Sequence, residues 1–249
     1  MIVLKTGREL NIMREACRIS AGALLTAGKA VEPGVTTAEL DRLAEEYIRS
    51  QGGEPNFKNY EGYPATACIS INNEVIHGIP SAKRKLRAGD IVSIDLGAKF
   101  DGYHGDNAAT FACGDVSPEA KRLMDATRES LYEGIKAARA GGRIGDIGHA
   151  VQAYVEARGY TVVRQFVGHG VGTHLHEAPE VPNFGTPGRG VRLMPGMTIA
   201  IEPMVNAGAA GVEVQPDGWT VLTKDGSLSA HFEHTVAITA DGPKIMTLI

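Results

Sequence analysis

Cysteine is scarce in this chain: Cys17, Cys68 and Cys113 are odd in number and lack C-x-x-C spacing. A disulfide framework and a thiolate zinc site are therefore excluded as organising devices. Long apolar runs are missing too. No stretch approaches the roughly 20 residues of a membrane span, and Met1-Ile2-Val3-Leu4-Lys5 is too short an apolar run for a signal peptide. Cytoplasmic residence without a membrane partner is the resulting expectation. Basic blocks are equally sparse. Nothing exceeds Lys83-Arg84-Lys85 and the formal net charge is -4, so no direct nucleic-acid binding is expected.

With 249 residues, 43% of them hydrophobic, the chain can build one large domain or two small ones. Its most informative stretch is G-D-I-V-S-I-D-L-G-A-K-F-D-G-Y-H-G-D, residues 89–106. The spacing predicts two strands joined at Asp101-Gly102, a strong two-residue hairpin signal. Such a turn sets Asp95 opposite Ala108 and leaves Asp106 diagonal to Asp95 on the same face. A three-residue loop would split the two acids across the sheet. Because Ile91-Val92-Ser93-Ile94 is too apolar for a solvent strand, Asp95 should sit at the rim of a core. In isolation the pair reads as two solvated hairpin acids; a partner later in the chain changes that.

Thr6-x-x-Glu9 is a capping-box pattern that opens a helical run through Leu10, Met13, Cys17 and Leu24, and Thr36-x-x-Glu39 repeats the device before Leu40, Leu43, Tyr47 and Ile48. A loop rich in proline and aromatics follows (Pro55, Phe57, Tyr60, Tyr63, Pro64), then short strands. Ser117-Pro118 reads as an N-cap with proline at the first helical position of a long helix to about Ala140. A shorter helix to Arg158 and a tail of strands complete the chain.

The order helix, helix, strands thus occurs twice, at a constant offset of 107 positions. Gly34, Glu39-Leu40, Tyr47 and Gly52 match Gly141, Asp146-Ile147, Tyr154 and Gly159, and L86-x-x-G89-x-x-x-x-I94-D95 matches L193-x-x-G196-x-x-x-x-I201-E202. Glu202 then stands for Asp95 in a second half, and Glu233, not Glu213, stands for Asp106. A single domain, residues 1–249, with halves of about 1–113 and 114–249, is the expected organisation. The expected fold class is α+β, an antiparallel sheet flanked by helices around a central cleft.

Four carboxylates in one partly buried site are strongly unfavourable alone and neutral with two divalent cations. His169 in V-G-H-G-V-G is the candidate fifth ligand, since the flanking glycines allow close backbone approach. A metal pair of this kind holds a bridging hydroxide and polarises a carbonyl, which points to acyl hydrolysis.

N-I-M-R-E-A near the start, C68-I-S-I-N-x-x-x-x-H77-G-I-P, S-I-D95-L-G, G-D106, G-H169-G-V-G-x-x-x-H176-E, A-I-E202-P and F-E233-H-T together resemble the type I methionine aminopeptidases of the pita-bread fold, over nearly the whole chain. The resemblance implies that Asp95 holds one side of a metal pair, Asp106 and Glu233 bridge both ions, and His169 and Glu202 complete the second. It also implies that Glu202 shuttles a proton, His176 steadies the oxyanion and His77 contacts the scissile amide nitrogen. A methionine pocket of Tyr60, Tyr63, Cys68, His77, Leu175 and Trp219 follows, and a thioether suits such aromatic edges. Leu175 stands where bacterial relatives commonly have phenylalanine. The implied activity is removal of initiator methionine from nascent chains at the ribosome when the second residue is small. A monomer using cobalt, manganese, iron or zinc is expected.

Other readings of the same residues are narrower. His174 shares a strand face with His176, and only the seven-residue spacing from His169 favours the latter. His104, His149, His231 and His234 are assigned surface or structural roles. H176-E-A-P-E lacks the second histidine of a zincin helix, and Gly168-x-Gly170-x-Gly172 lacks phosphate-loop spacing. Only 26 positions separate His176 from Glu202, too few for the inserted subdomain of type II enzymes. Two alternatives remain: an Xaa-Pro aminopeptidase or dipeptidase of the same fold, which normally carries a large extra N-terminal domain, and a non-catalytic pita-bread binding module.

Overall fold

The computed structural model describes residues 2–248. Helices α1 (Gly7–Lys29) and α2 (Thr37–Ser50) are followed by strands β1 (Glu54–Pro55), β2 (Ala67–Ile71) and β3 (Glu74–Ile76), then by the hairpin β4 (Ile91–Phe100) and β5 (Tyr103–Ala112). Helices α3 (Pro118–Ala137) and α4 (Ile144–Glu156) open the second half. Its strands are β6 (Thr161–Val162), β7 (Gly168–Gly170), β8 (Glu177–Val181), β9 (Thr198–Ile201) and β10 (Met204–Asn206). The last five are β11 (Val212–Val214), β12 (Val221–Thr223), β13 (Ser229–His231), β14 (Glu233–Thr239) and β15 (Gly242–Ile245).

The local rules act as expected. Thr6 and Glu9 close a full capping box, with Glu9 Oε2 accepting from the Thr6 amide at 2.7 Å, and Ser117 caps α3 with Pro118 in its first turn. Thr36 caps α2 through the Glu39 amide. Asp101 and Gly102 both take positive φ, the primed turn whose twist suits a two-residue hairpin. Asp95 consequently pairs with Ala108, and the two acids share a face.

The hairpin lies inside a curved sheet ordered β1-β4-β5-β14-β9-β7-β8, with β2 on β4 and β15 on β14. On β14, Glu233 pairs with the same Ala108, so Asp95, Ala108 and Glu233 form one row across three strands. Opposite, His234 pairs with Ile201, which brings the next residue, Glu202, beside Glu233. One buried cluster joins α1 and α2 to the sheet through Leu40, Ile48, Ile69, Ile94 and Leu96; another joins α3 and α4 through Leu123, Leu131, Ile147, Val151 and Ile201. Each such side chain contributes about 1.5–3 kcal/mol by leaving water. At Gly105, a Cβ would meet the backbone of Cys17 on α1 at 2.5 Å, so that helix packs against the hairpin without side-chain spacing. This is an α+β layout, helices outside and strand ends facing a cleft.

The offset seen in the sequence recurs in the contacts. Gly34 N–H donates to Leu86 O and Gly141 N–H to Leu193 O; Thr36 bridges Lys85, and Arg143 bridges Arg192. Gly34, Gly52 and Gly89 take positive φ, as do Gly141, Gly159 and Gly196. Among the described residues no helix is long and apolar enough to cross a membrane.

Candidate metal centre and its cleft

Five side chains expected at the centre line one cavity of about 520 Å³: Asp95 from β4, Asp106 from β5, His169 from β7, Glu202 just after β9, and Glu233 from β14. Strand β7 can reach this depth because Gly168 and Gly170 lie against the backbone of Ala200 and Ala178, where a Cβ would collide. Donor atoms of Asp106, His169 and Glu233 lie within 4.8 Å of one another. Asp95 and Glu202 flank that trio. Nε2 of His169 is 3.5 Å from Glu202 Oε1 and 3.8 Å from Asp106 Oδ2.

Electrostatically the cluster is incomplete. Burial pushes Asp95 up to about 7. Burial first and the neighbouring acids second push Asp106, Glu202 and Glu233 well above the ordinary carboxylate range. Oxygens Asp95 Oδ1, Asp106 Oδ1 and Glu233 Oε1 are buried without any hydrogen-bond partner. Native interiors rarely leave such atoms unpaired, and an orphaned set of carboxylate oxygens around one point fits a divalent cation. His169 fits the same role. Its Nδ1 lies 2.8 Å from the Gly170 carbonyl, which only accepts, so the ring proton sits on Nδ1 and the Nε2 lone pair faces the acids. Burial lowers its pKa to about 3, keeping the ring neutral.

At the other end of the cavity, Tyr60, Tyr63, Cys68, His77, Leu175 and Trp219 all line the wall. Tyr63 packs edge-on to Trp219 with centroids 5.1 Å apart, and its hydroxyl donates toward the Ala67 and Gly78 carbonyls. His77, in the left-handed region at φ 60, stands edge-on to Phe166 and Trp219. His176 lies between the two ends, 4.3 Å from the His169 ring, with Nδ1 2.9 Å from the Tyr60 hydroxyl. The competing His174 is exposed and lies outside the cavity lining. Burial lowers the pKa of His77 to about 4 and that of His176 below its usual value.

Sequence reasoning missed part of this wall. Phe57, Ile76, Phe166 and Glu180 also line the cavity; Phe57 belonged to the aromatic loop, but nothing in its spacing aimed it inward. Of the surface and structural roles open to His231, burial leaves the structural one. Its side chain is buried, with Nε2 3.8 Å from Glu202 Oε2. The available signal was period two: His231 lies two residues before Glu233 and so tends to share its face.

Residues 11–240 match the profile of metallopeptidase family M24. The methionine aminopeptidase of Clostridium acetobutylicum is 54% identical over 248 residues, covering 100% of this chain and 99% of that protein. The crystal structure of methionine aminopeptidase from Thermotoga maritima superposes with a TM-score of 0.99 at 45% identity, covering both chains fully. The prolidase from Pyrococcus furiosus, 24% identical, superposes with a TM-score of 0.81 over 99% of this chain and 66% of its own, a likeness of fold alone. The architecture is thus the pita-bread fold.

Proposed function

Since this chain belongs to metallopeptidase family M24, we infer that it is a metal-dependent aminopeptidase that removes N-terminal methionine from polypeptides. One observation carries the reading: a carboxylate cluster lacking counter-charge and an aromatic, sulfur-compatible pocket open into the same 520 Å³ cavity. A methionine side chain held at the aromatic end would direct its adjoining amide toward the cluster.

When bound by Asp95, Asp106, His169, Glu202 and Glu233, divalent metal supplies Lewis acidity and a nucleophile usable near neutral pH. Two ions would balance the four carboxylates, and manganese, iron or cobalt suits such oxygen-rich ligands at least as well as zinc. Glu202 takes the proton of the attacking water and delivers it to the departing amine nitrogen, so water is added across the amide. With the Tyr60 hydroxyl donating to Nδ1, His176 carries its proton on Nε2 and donates to the developing oxyanion. His77 contacts the scissile nitrogen, and Tyr60, Tyr63, Cys68, Leu175 and Trp219 hold the methionine side chain. Initiator methionine ahead of a small second residue is the physiological substrate, met on nascent chains in the cytoplasm by a monomeric enzyme of type I. The halves 1–113 and 114–249 are duplicated parts of one catalytic domain, a reading supported by the contacts that recur at constant offset.

Hydrolysis of Met-Gly-type and Xaa-Pro-type peptides by chelator-stripped protein, with and without manganese or cobalt, tests the reading. Metal-dependent release of methionine from the first peptide alone is expected. Activity on the proline peptide alone makes the chain a prolyl-specific sister, and silence on both makes it a binding module.

A further inference from the structure

His231 is buried to 1% exposure, and neither of its ring nitrogens has a hydrogen-bond partner. A neutral imidazole carries one N–H that must go somewhere, and a leucine or phenylalanine would fill an apolar slot without that demand. The ring is not there through slack backbone. The His231 amide donates to Thr110 Oγ1 at 2.9 Å, its carbonyl accepts from the same hydroxyl at 2.9 Å, and the residue pairs with Met204 across β10 and β13. A carboxylate faces this firmly held ring: Glu202 Oε2 lies 3.8 Å from Nε2.

Glu202 lies between two imidazoles, one facing each oxygen. They cannot play the same part. Because His169 spends its ring proton on the Gly170 carbonyl, its Nε2 meets Glu202 lone pair to lone pair and needs a cation between them. His231 has no competing acceptor, so it alone can offer that carboxylate a ring N–H. We propose that His231 is a positioning residue whose Nε2–H donates to Glu202 Oε2 and so turns Oε1 toward the acid cluster. A movement of about 1 Å brings the pair to hydrogen-bond length, the tightening that active-site contacts undergo on loading. His231 adds no donor to the compact trio of Asp106, His169 and Glu233; its effect passes through Glu202. The inference deepens the function proposed above and rests on Glu202 carrying the proton there.

The experiment compares the wild-type chain, His231→Leu and His231→Gln, each stripped and reloaded with manganese to equal content. On a Met-Gly-type peptide, His231→Leu should lower kcat about 10- to 100-fold with KM within about twofold, as loss of a ligand-orienting hydrogen bond does. His231→Gln, which keeps a donor, should recover most of that loss. Separately, nitrogen NMR of the loaded wild-type protein should find the His231 proton on Nε2. Unchanged kcat in His231→Leu, equal losses in both variants, or a proton on Nδ1 would each overturn the assignment. If wild type releases no methionine, the proposed function fails by itself, and the NMR measurement still decides whether His231 donates to Glu202.

Discussion

The two ends of the cleft differ in what each has been left wanting. At the apolar end both tyrosine hydroxyls have partners: that of Tyr63 reaches two carbonyls, and that of Tyr60 reaches His176. Cys68 and Leu175 are buried, and Tyr63 stacks edge-on to Trp219. Around the acids, three carboxylate oxygens have none. The acids come from the larger sheet, whereas the apolar end also draws on β3 and the β11–β12 loop, which belong to a separate three-stranded sheet. The apolar end is thus closed by contacts within the chain, whereas the acid end lacks counter-charge. Substitutions at the two ends should therefore separate cleanly, one set acting on chemistry and metal, the other on which side chain is accepted.

The sharpest separation is at Glu202. Replacing it with glutamine keeps the size and removes the base, so turnover should fall about 10²–10⁴-fold, the usual worth of a positioned acid or base. Peptide affinity, set at the other end, should change little. Single-turnover kinetics together with equilibrium binding of a Met-Gly-type peptide would check this, and full turnover would remove Glu202 from its role. His169→Ala comes next. Loss of the one neutral ligand should weaken metal binding by at least about 10-fold, read by calorimetry or metal analysis; unchanged metal content would place the fifth ligand elsewhere.

At the apolar end, Leu175→Ala should act on recognition. A missing stretch of hydrocarbon in a pocket is worth about 1–3 kcal/mol, so kcat/KM for methionyl peptides should drop about 10-fold while metal content stays at the wild-type level. Bulkier N-terminal side chains should gain relative to methionine. A variant that lost metal instead would show that the two ends are not independent.

The two ends also differed in how legible they were. The acid end follows from rules that act over short distances. Asp-Gly fixes the hairpin register, the register places Asp95 and Asp106 on one face, and the constant offset carries Asp95 onto Glu202. The apolar end obeys no period. Tyr60 and Tyr63 come from the loop after β1, Cys68 from β2, Leu175 from the loop after β7, and Trp219 from the loop between β11 and β12. No local rule joins four such segments, so these residues were legible through family resemblance alone, and Phe166 and Ile76 escaped it. His231 fell between the two cases. It obeys the same alternation as Glu233, but the chain leaves regular strand at Phe232, which blunts the signal.

The smallest predicted effect concerns pH, where the two ends should part again. Asp95, Asp106, Glu202 and Glu233 have raised values in the folded chain, so in metal-free protein they favour folding fully below about pH 4 and lose that contribution as pH rises, for Asp95 through about 7. His77, His169 and His231 are lowered, to about 4, 3 and 3, and act in the opposite sense: their contribution is present above the ordinary histidine value near 6.5 and is lost on acidification. The thermal midpoint of stripped protein therefore mixes both signs. The gain in midpoint on adding manganese does not, because a cation competes with protons at all five ligands and leaves His77 out of the balance. That gain should be near zero at pH 4.5 and grow by a few degrees as pH rises through about 7, where Asp95 loses its proton. Leu175→Ala should reproduce the profile with a lower baseline, and Asp95→Asn should flatten it. A metal-induced shift independent of pH would mean that the raised carboxylates are not the groups that receive the ion.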